Sequence, residues 1–460
     1  MIGVRLRLAG LIVVCGAAWS APAAARIVVD HIAVRGKTGV TTRVLTTRMH
    51  LHTGDTVDFA VLKAAEQRLM ESDLFSSVRV FIELPTAEAV RRMYLDDTIY
   101  PVEVVVEAVG KLTWFLFPMA AFGSGDWAGG LVYANQNVIG RDVHLLGAGQ
   151  LGWTRSFVFL QYTDPLVVGA PLTYSVNGLY RQEKIRFFAN HSMVQQVPTT
   201  VAGGGAWIGW VLSPHTRAFL GLAARHLAVS PLQGLSECAI ALPYNPRSGR
   251  IFLLQFHFEY DDTRAEEGIR RGIRVLFKNE VSDRYWGSDF DYSKFEMGVD
   301  LYGHYRWNYP SLLLSGILDY PTSDHGRPVT ELLRIGGPDL RGYLTDEFCG
   351  DTLVKMQAED QAVFLHLRIP WTQVPFNVAA AAFVDAATLL ERYPGGTTVP
   401  RPDIPLPPIR SKLKDIHASV GGGMRIILPG VAIPAFKVDV GYGIDVRAVA
   451  VTVSIAGGGI

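Results

Sequence analysis

The stretch KVDVGYGIDVRAVAVTVSI, residues 437–455, decides the fold. Val438, Val440, Tyr442, Ile444 and Val446 fall on one face of a period-two pattern, and Lys437, Asp439, Gly441, Asp445 and Arg447 fall on the other. The phase then inverts. Val449, Val451, Val453 and Ile455 become the apolar set, alternating with Ala450, Thr452 and Ser454. Successive strand side chains point to opposite faces, so an inversion with no gap marks a tight hairpin.

The same alternation recurs upstream. Leu254, Phe256, Phe258 and Tyr260 alternate with Gln255, His257 and Glu259. Phe295, Met297, Val299 and Leu301 alternate with Lys294, Glu296 and Asp300, and Val363, Leu365, Leu367 and Ile369 with Phe364, His366 and Arg368. From residue 111 to 460 the chain reads almost wholly as such strands, which is long for a soluble sandwich. Aromatics recur near strand ends (Trp127, Trp153, Trp207, Trp210, Tyr285, Trp286, Trp307, Tyr309 and Trp371), as membrane-interface girdles require. Connections alternate in length: 184–200, 229–250, 322–350 and 387–413 read as long, 262–268 and 370–375 as short. Beyond residue 25 no apolar run approaches the ~18 residues of a membrane helix. A membrane-spanning chain of this kind must close into a barrel, because lipid satisfies no open sheet edge. At about 9–11 residues per membrane strand, the expectation is an antiparallel barrel of about 16 strands.

Composition agrees. The chain has 460 residues, with 43 basic and 43 acidic side chains, so nothing suggests a nucleic-acid partner. Charged residues make up 19%, fewer than a typical soluble enzyme carries. Residues 1–25 read as a secretory leader: Arg5 and Arg7, an apolar stretch from Leu8 to Trp19, then small residues before Arg26. Residues 26–110 differ in pattern from the strand-rich remainder. A strand at 27–35, helices at 41–49 and after an Asp58 N-cap, and strands at 77–84 and 101–109 give a small β-α-α-β-β domain.

Within the long connection 322–350 lies Gly336-Gly337-Pro338-Asp339-Leu340-Arg341-Gly342-Tyr343. Together with Asn137-Val138-Ile139-Gly140-Arg141, Asp262-Thr263-Arg264, Phe383-Val384-Asp385-Ala386 and the closing hairpin, it resembles the BamA/TamA/two-partner-secretion translocator superfamily. The resemblance implies a bacterial outer-membrane assembly factor: one periplasmic POTRA domain ahead of a bacterial surface antigen-type barrel. The loop motif of that family is usually Val-Arg-Gly-Phe or Val-Arg-Gly-Tyr; here Leu340, Arg341, Gly342 and Tyr343 stand in its place. The resemblance implies that Arg341 folds into the lumen and pairs with inner-wall acids. Asp385 fits one of them. The second acid of the family aligns with His366, which when neutral accepts only one hydrogen bond, and Asp360 is another candidate. The glycine-rich end, 456–460, departs from the aromatic terminus common among such barrels.

The implied function is insertion or translocation of polypeptides. Client strands would be captured on the POTRA-like sheet edge and passed to the barrel seam, at about 112–122 and 448–455. Partners would be unfolded or nascent outer-membrane and secreted polypeptides, the lipid bilayer and periplasmic accessory proteins; no enzyme activity, nucleotide, metal or cofactor is implied. The alternative is a passive or gated solute pore, motivated by the polar inner face. His50 and His52 lack companions at ligand spacing and read as a solvated loop. Cys238 and Cys349 can form one disulfide or stay apart.

Overall fold

The computed structural model describes residues 26–72, 74–83, 99–111, 113–165, 172–189, 191–213, 215–231, 233–234, 246–266, 269–323, 326–368, 375–390, 416–428 and 434–455. The expected leader, Cys238, Trp371 and the glycine-rich end lie outside the described residues, so a pairing of Cys238 with Cys349 lies outside them too.

The chain divides into two units at Lys111/Leu112. The first contains β1 (Arg26–Arg35), α1 (Thr42–Met49), α2 (Phe59–Glu71), β2 (Phe75–Glu83) and β3 (Ile99–Gly110). Its sheet has the order β1-β3-β2, parallel between β1 and β3 and antiparallel between β2 and β3. The Asp58 carboxylate accepts the Val61 amide at 2.7 Å and starts α2, satisfying one of the helix's orphan donors. Leu62, Ala65 and Leu69 then pack on Val78, Val80, Val102, Val104 and Val106 across the sheet. His50 ends α1 in the left-handed region, and His52 closes a turn on Asp55. No metal-holding group occurs among the described residues.

The second unit is a closed antiparallel barrel of sixteen strands among the described residues, from Trp114–Gly123 to Ala448–Ile455. Alternation places its charges. Val440, Tyr442, Val449 and Val451 are exposed toward the surrounding membrane, while Asp439 is 1% exposed in the lumen. The closing hairpin matches the expected pattern with one adjustment: residues 444–447 form its turn, so Ile444 and Val446 leave the strand pattern.

Three other expectations are corrected. The range 184–200 falls largely within two paired strands, Leu172–Ala189 and Ser192–Ser213, whose outer half packs on the long loop through Ile185, Phe187 and Val197. Both of its faces are covered there, so the membrane pattern of alternation fades. Trp207 is a lumen residue rather than a girdle one, its ring filling the space a Cβ would take at Gly205. Along Thr352–Arg368 a bulge at Phe364 breaks the alternation: Val363 pairs with Ala379 but Leu365 with Val378.

Candidate functional site: the lumen loop and the barrel seam

The connection between Asn308–Pro321 and Thr352–Arg368 folds into the lumen. Leu333–Ile335 and Phe348–Gly350 pair as its stem. At its tip Leu340 and Tyr343, both essentially unexposed, join Leu333, Ile335, Leu353, Ala387 and Leu389 in one apolar cluster. Burying each such side chain stabilises by about 1.5–3 kcal/mol, which draws the polar residue between them inward. Gly342 has φ +101°, and a Cβ there would sit 2.7 Å from the Gly443 amide nitrogen. The loop backbone therefore lies flush on the strand Pro434–Gly443, an approach only glycine permits.

Arg341 is 3% exposed. Its Nε and one terminal nitrogen donate to the two carboxylate oxygens of Asp385 at 2.8 and 2.7 Å, and the Arg341 amide donates to Asp385 at 3.1 Å. The other terminal nitrogen donates to Glu359 and lies 3.6 Å from Asp439. The guanidinium face stacks over Phe383, 3.4 Å from the ring centre. Burial opposes the charge of this loop arginine, but the hydrogen bonds and charge of Asp385 and Glu359 outweigh it and raise its pKa. Arg425 bridges Glu359 at 3.0 Å and Asp439 at 2.6 Å, and Lys437 lies 3.0 Å from Asp439. Three cations and three carboxylates thus balance in one buried group. A bidentate arginine compensates desolvation better than a point charge can.

Of the residues the motif named, Arg341 and Asp385 are brought together. His366 does not join it. Its ring bonds Asn377 at 2.8 Å, and the second acid is Glu359. The bulge is the reason: it inverts parity between the two positions, so alternation counted back from His366 assigns Glu359 to the lipid face. Asp360, the other candidate, accepts instead from Asn308 at 3.1 Å. Arg425 was also missed, although its lumen parity on Ile416–Ile427 follows from its register with Lys437.

Further ion pairs fasten the loop around the wall. Arg334 meets Glu183 and Asp346, each at 3.1 Å, and Arg327 meets Asp319 at 3.0 Å and also Asp351. Glu331 meets Lys294 at 3.0 Å and Arg225 at 3.7 Å. Burial would raise the Glu331 pKa, but these two cations hold it below the ordinary carboxylate range.

At the seam the last strand pairs with the first through four residue pairs, Thr452 with Gly123 to Ile455 with Ala120. The first strand's other edge pairs along all ten of its residues, with Asp126–Asn135. Among the described residues, 114–119 therefore have no strand partner on the seam side. Trp114, Phe115 and Leu116 are all exposed there.

A sixteen-stranded barrel with an arginine-latched loop in its lumen defines a class, the outer-membrane barrels that carry an inward loop. The chain belongs to the Omp85 superfamily, whose domain model matches residues 137–447. Membership places it in the bacterial outer membrane and, in general terms, in insertion or translocation there. Such proteins are transporters or assembly factors rather than enzymes. Among solved structures it is similar to BamA from Haemophilus ducreyi lacking POTRA domains 1–3, at 16% identity and a TM-score of 0.65, over 93% of this chain and 84% of that one. It is also similar to CdiB from Acinetobacter baumannii, at 13% identity and a TM-score of 0.57, over 94% and 74%. No curated protein matches the chain in sequence.

Proposed function

We propose that this protein takes unfolded polypeptide strands at the outer membrane and passes them to its barrel seam, residues 26–110 serving as a single periplasmic POTRA-like module. The observation that carries this reading is the seam itself. An edge of exposed backbone flanked by apolar side chains accepts another strand by main-chain hydrogen bonding, with little demand on sequence. Among the described residues, 114–119 supply such an edge beside a closure of four pairs, with Trp114, Phe115 and Leu116 exposed.

The N-terminal sheet offers a second edge, on β2. There the Glu66 carboxylate accepts the Val80 amide at 2.9 Å, so strand capture on β2 displaces one side-chain bond. The start of β1 is already covered by 54–57, through Gly54 to Val29 at 2.8 Å and Val57 to Ile27 at 2.9 Å. The β2 edge is therefore the capture side in this reading. The solute-pore alternative is opposed by the loop, which is ion-paired to wall residues Glu183, Arg225, Lys294, Asp319, Glu359 and Asp385.

Depletion in cells tests the role. The expected result is a selective fall in particular outer-membrane or surface proteins, measured by quantitative proteomics of isolated envelopes. An unchanged envelope proteome would overturn it.

A further inference from the structure

We infer that loop residues 342–345 clamp the outer end of the seam, tying the first and last hairpins together until the loop is displaced. The clamp rests on the proposal that clients enter at the seam. Four consecutive residues step from one hairpin to the other. Gly342 lies on the backbone of Gly441 and Gly443, in the last hairpin. The Tyr343 hydroxyl is in hydrogen-bond reach of Asp445 in that hairpin's turn, which also bonds His417 at 2.6 Å, and of the Ala418 carbonyl at 2.8 Å on the strand paired with that hairpin. The Leu344 side chain then reaches Gly125, in the turn of the first hairpin, coming within 3.3 Å of where a Cβ would stand. The Thr345 amide donates to the Ser124 carbonyl at 3.0 Å.

Arg186 locks the second half. It is 6% exposed and donates to the Thr345 carbonyl at 2.7 Å and the Gly125 carbonyl at 3.2 Å. It belongs to the extended hairpin, so a third element holds the loop to the first turn. Among the described residues the two hairpins are otherwise joined through the four seam pairs and a 3.4 Å contact between the Ser124 and Thr452 hydroxyls. Hydrogen bonds through the loop are thus comparable in number to the seam pairing among the described residues, and they lie at its outer end. Beside them a cavity of about 330 Å³ separates the loop from the seam, lined by Ala121, Phe122, Thr452, Pro338 and Asp346. The loop therefore braces the seam at its outer end and leaves space behind it.

The clamp differs from the Arg341 latch, which holds the loop to Asp385 and Glu359 on strands away from the seam. The two are separable by mutation. Spin labels are placed at Phe122→Cys and Val449→Cys, both lipid-facing, in the full-length protein in lipid nanodiscs with Cys238→Ala and Cys349→Ala. Combining Arg186→Gln with Tyr343→Phe should enlarge the long-distance population roughly tenfold, a few net hydrogen bonds having been lost. Lys355→Ala, which frees Asp339 on the same loop but touches neither hairpin, should leave the distribution unchanged. If the double variant does not fold, Tyr343→Phe alone removes one hydroxyl and should give a smaller shift in the same direction. Distributions that superimpose on the parent would overturn the clamp. So would equal opening in Lys355→Ala. An unchanged envelope proteome on depletion would instead overturn the proposed function and leave these distances as they are.

Discussion

Arg341→Ala should cost about 3–5 kcal/mol of barrel stability, the range for removing one partner of a buried ion pair. Alanine leaves Asp385, Glu359 and Asp439 facing only Arg425 and Lys437, so one buried negative charge goes uncompensated. It also removes the stacking contact on Phe383. Arg341→Lys keeps the charge but loses the two-pronged bond to Asp385, and should fall between the two. Glu359→Gln should weaken the group measurably, because Arg341 and Arg425 both point at that carboxylate. His366→Ala should change little, since His366 is exposed and among the described residues its ring bonds Asn377, not the Arg341 group. Urea unfolding followed by gel mobility of the folded barrel ranks these variants. Loop release would show separately, as new protease cleavage within 326–351.

Excising 326–349 should produce a large, steady conductance in planar bilayers where the intact protein gives little. Barrels of 16–18 strands enclose an aqueous channel unless something fills them. Here Leu340, Arg341 and Tyr343 and the stem of the loop occupy that space, fastened through Arg327, Glu331 and Arg334. An intact protein as conductive as the excised form would favour the solute-pore reading.

Much of the fold is legible in the sequence, and the failures have physical reasons. Period-two patterning in the membrane zone tracks burial directly, so Val440, Asp439 and Val451 are assignable to their faces from residue order alone. Arg341 and Asp385 can be found because one lies in a distinctive loop motif and the other in a strand free of bulges. Glu359 is hidden because the bulge at Phe364 shifts parity with no mark in the residue types. The outer half of the hairpin Leu172–Ala189 with Ser192–Ser213 reads as a loop because both of its faces are covered there, and alternation reports a strand only where its two faces meet different surroundings. Arg425 looks like any lumen charge; that it bridges Glu359 and Asp439 depends on three-dimensional closure.

The central claim is that the first barrel strand receives client polypeptide along its seam-side edge. The most direct test places a photo-crosslinking amino acid at Leu116, on that edge, and at Val176, an exposed lipid-facing position on a strand paired on both sides. Irradiation of cells synthesising outer-membrane proteins should crosslink newly made polypeptides to Leu116 and not to Val176. Crosslinks equal at the two positions, or none at Leu116 while depletion still lowers client proteins, would contradict the account.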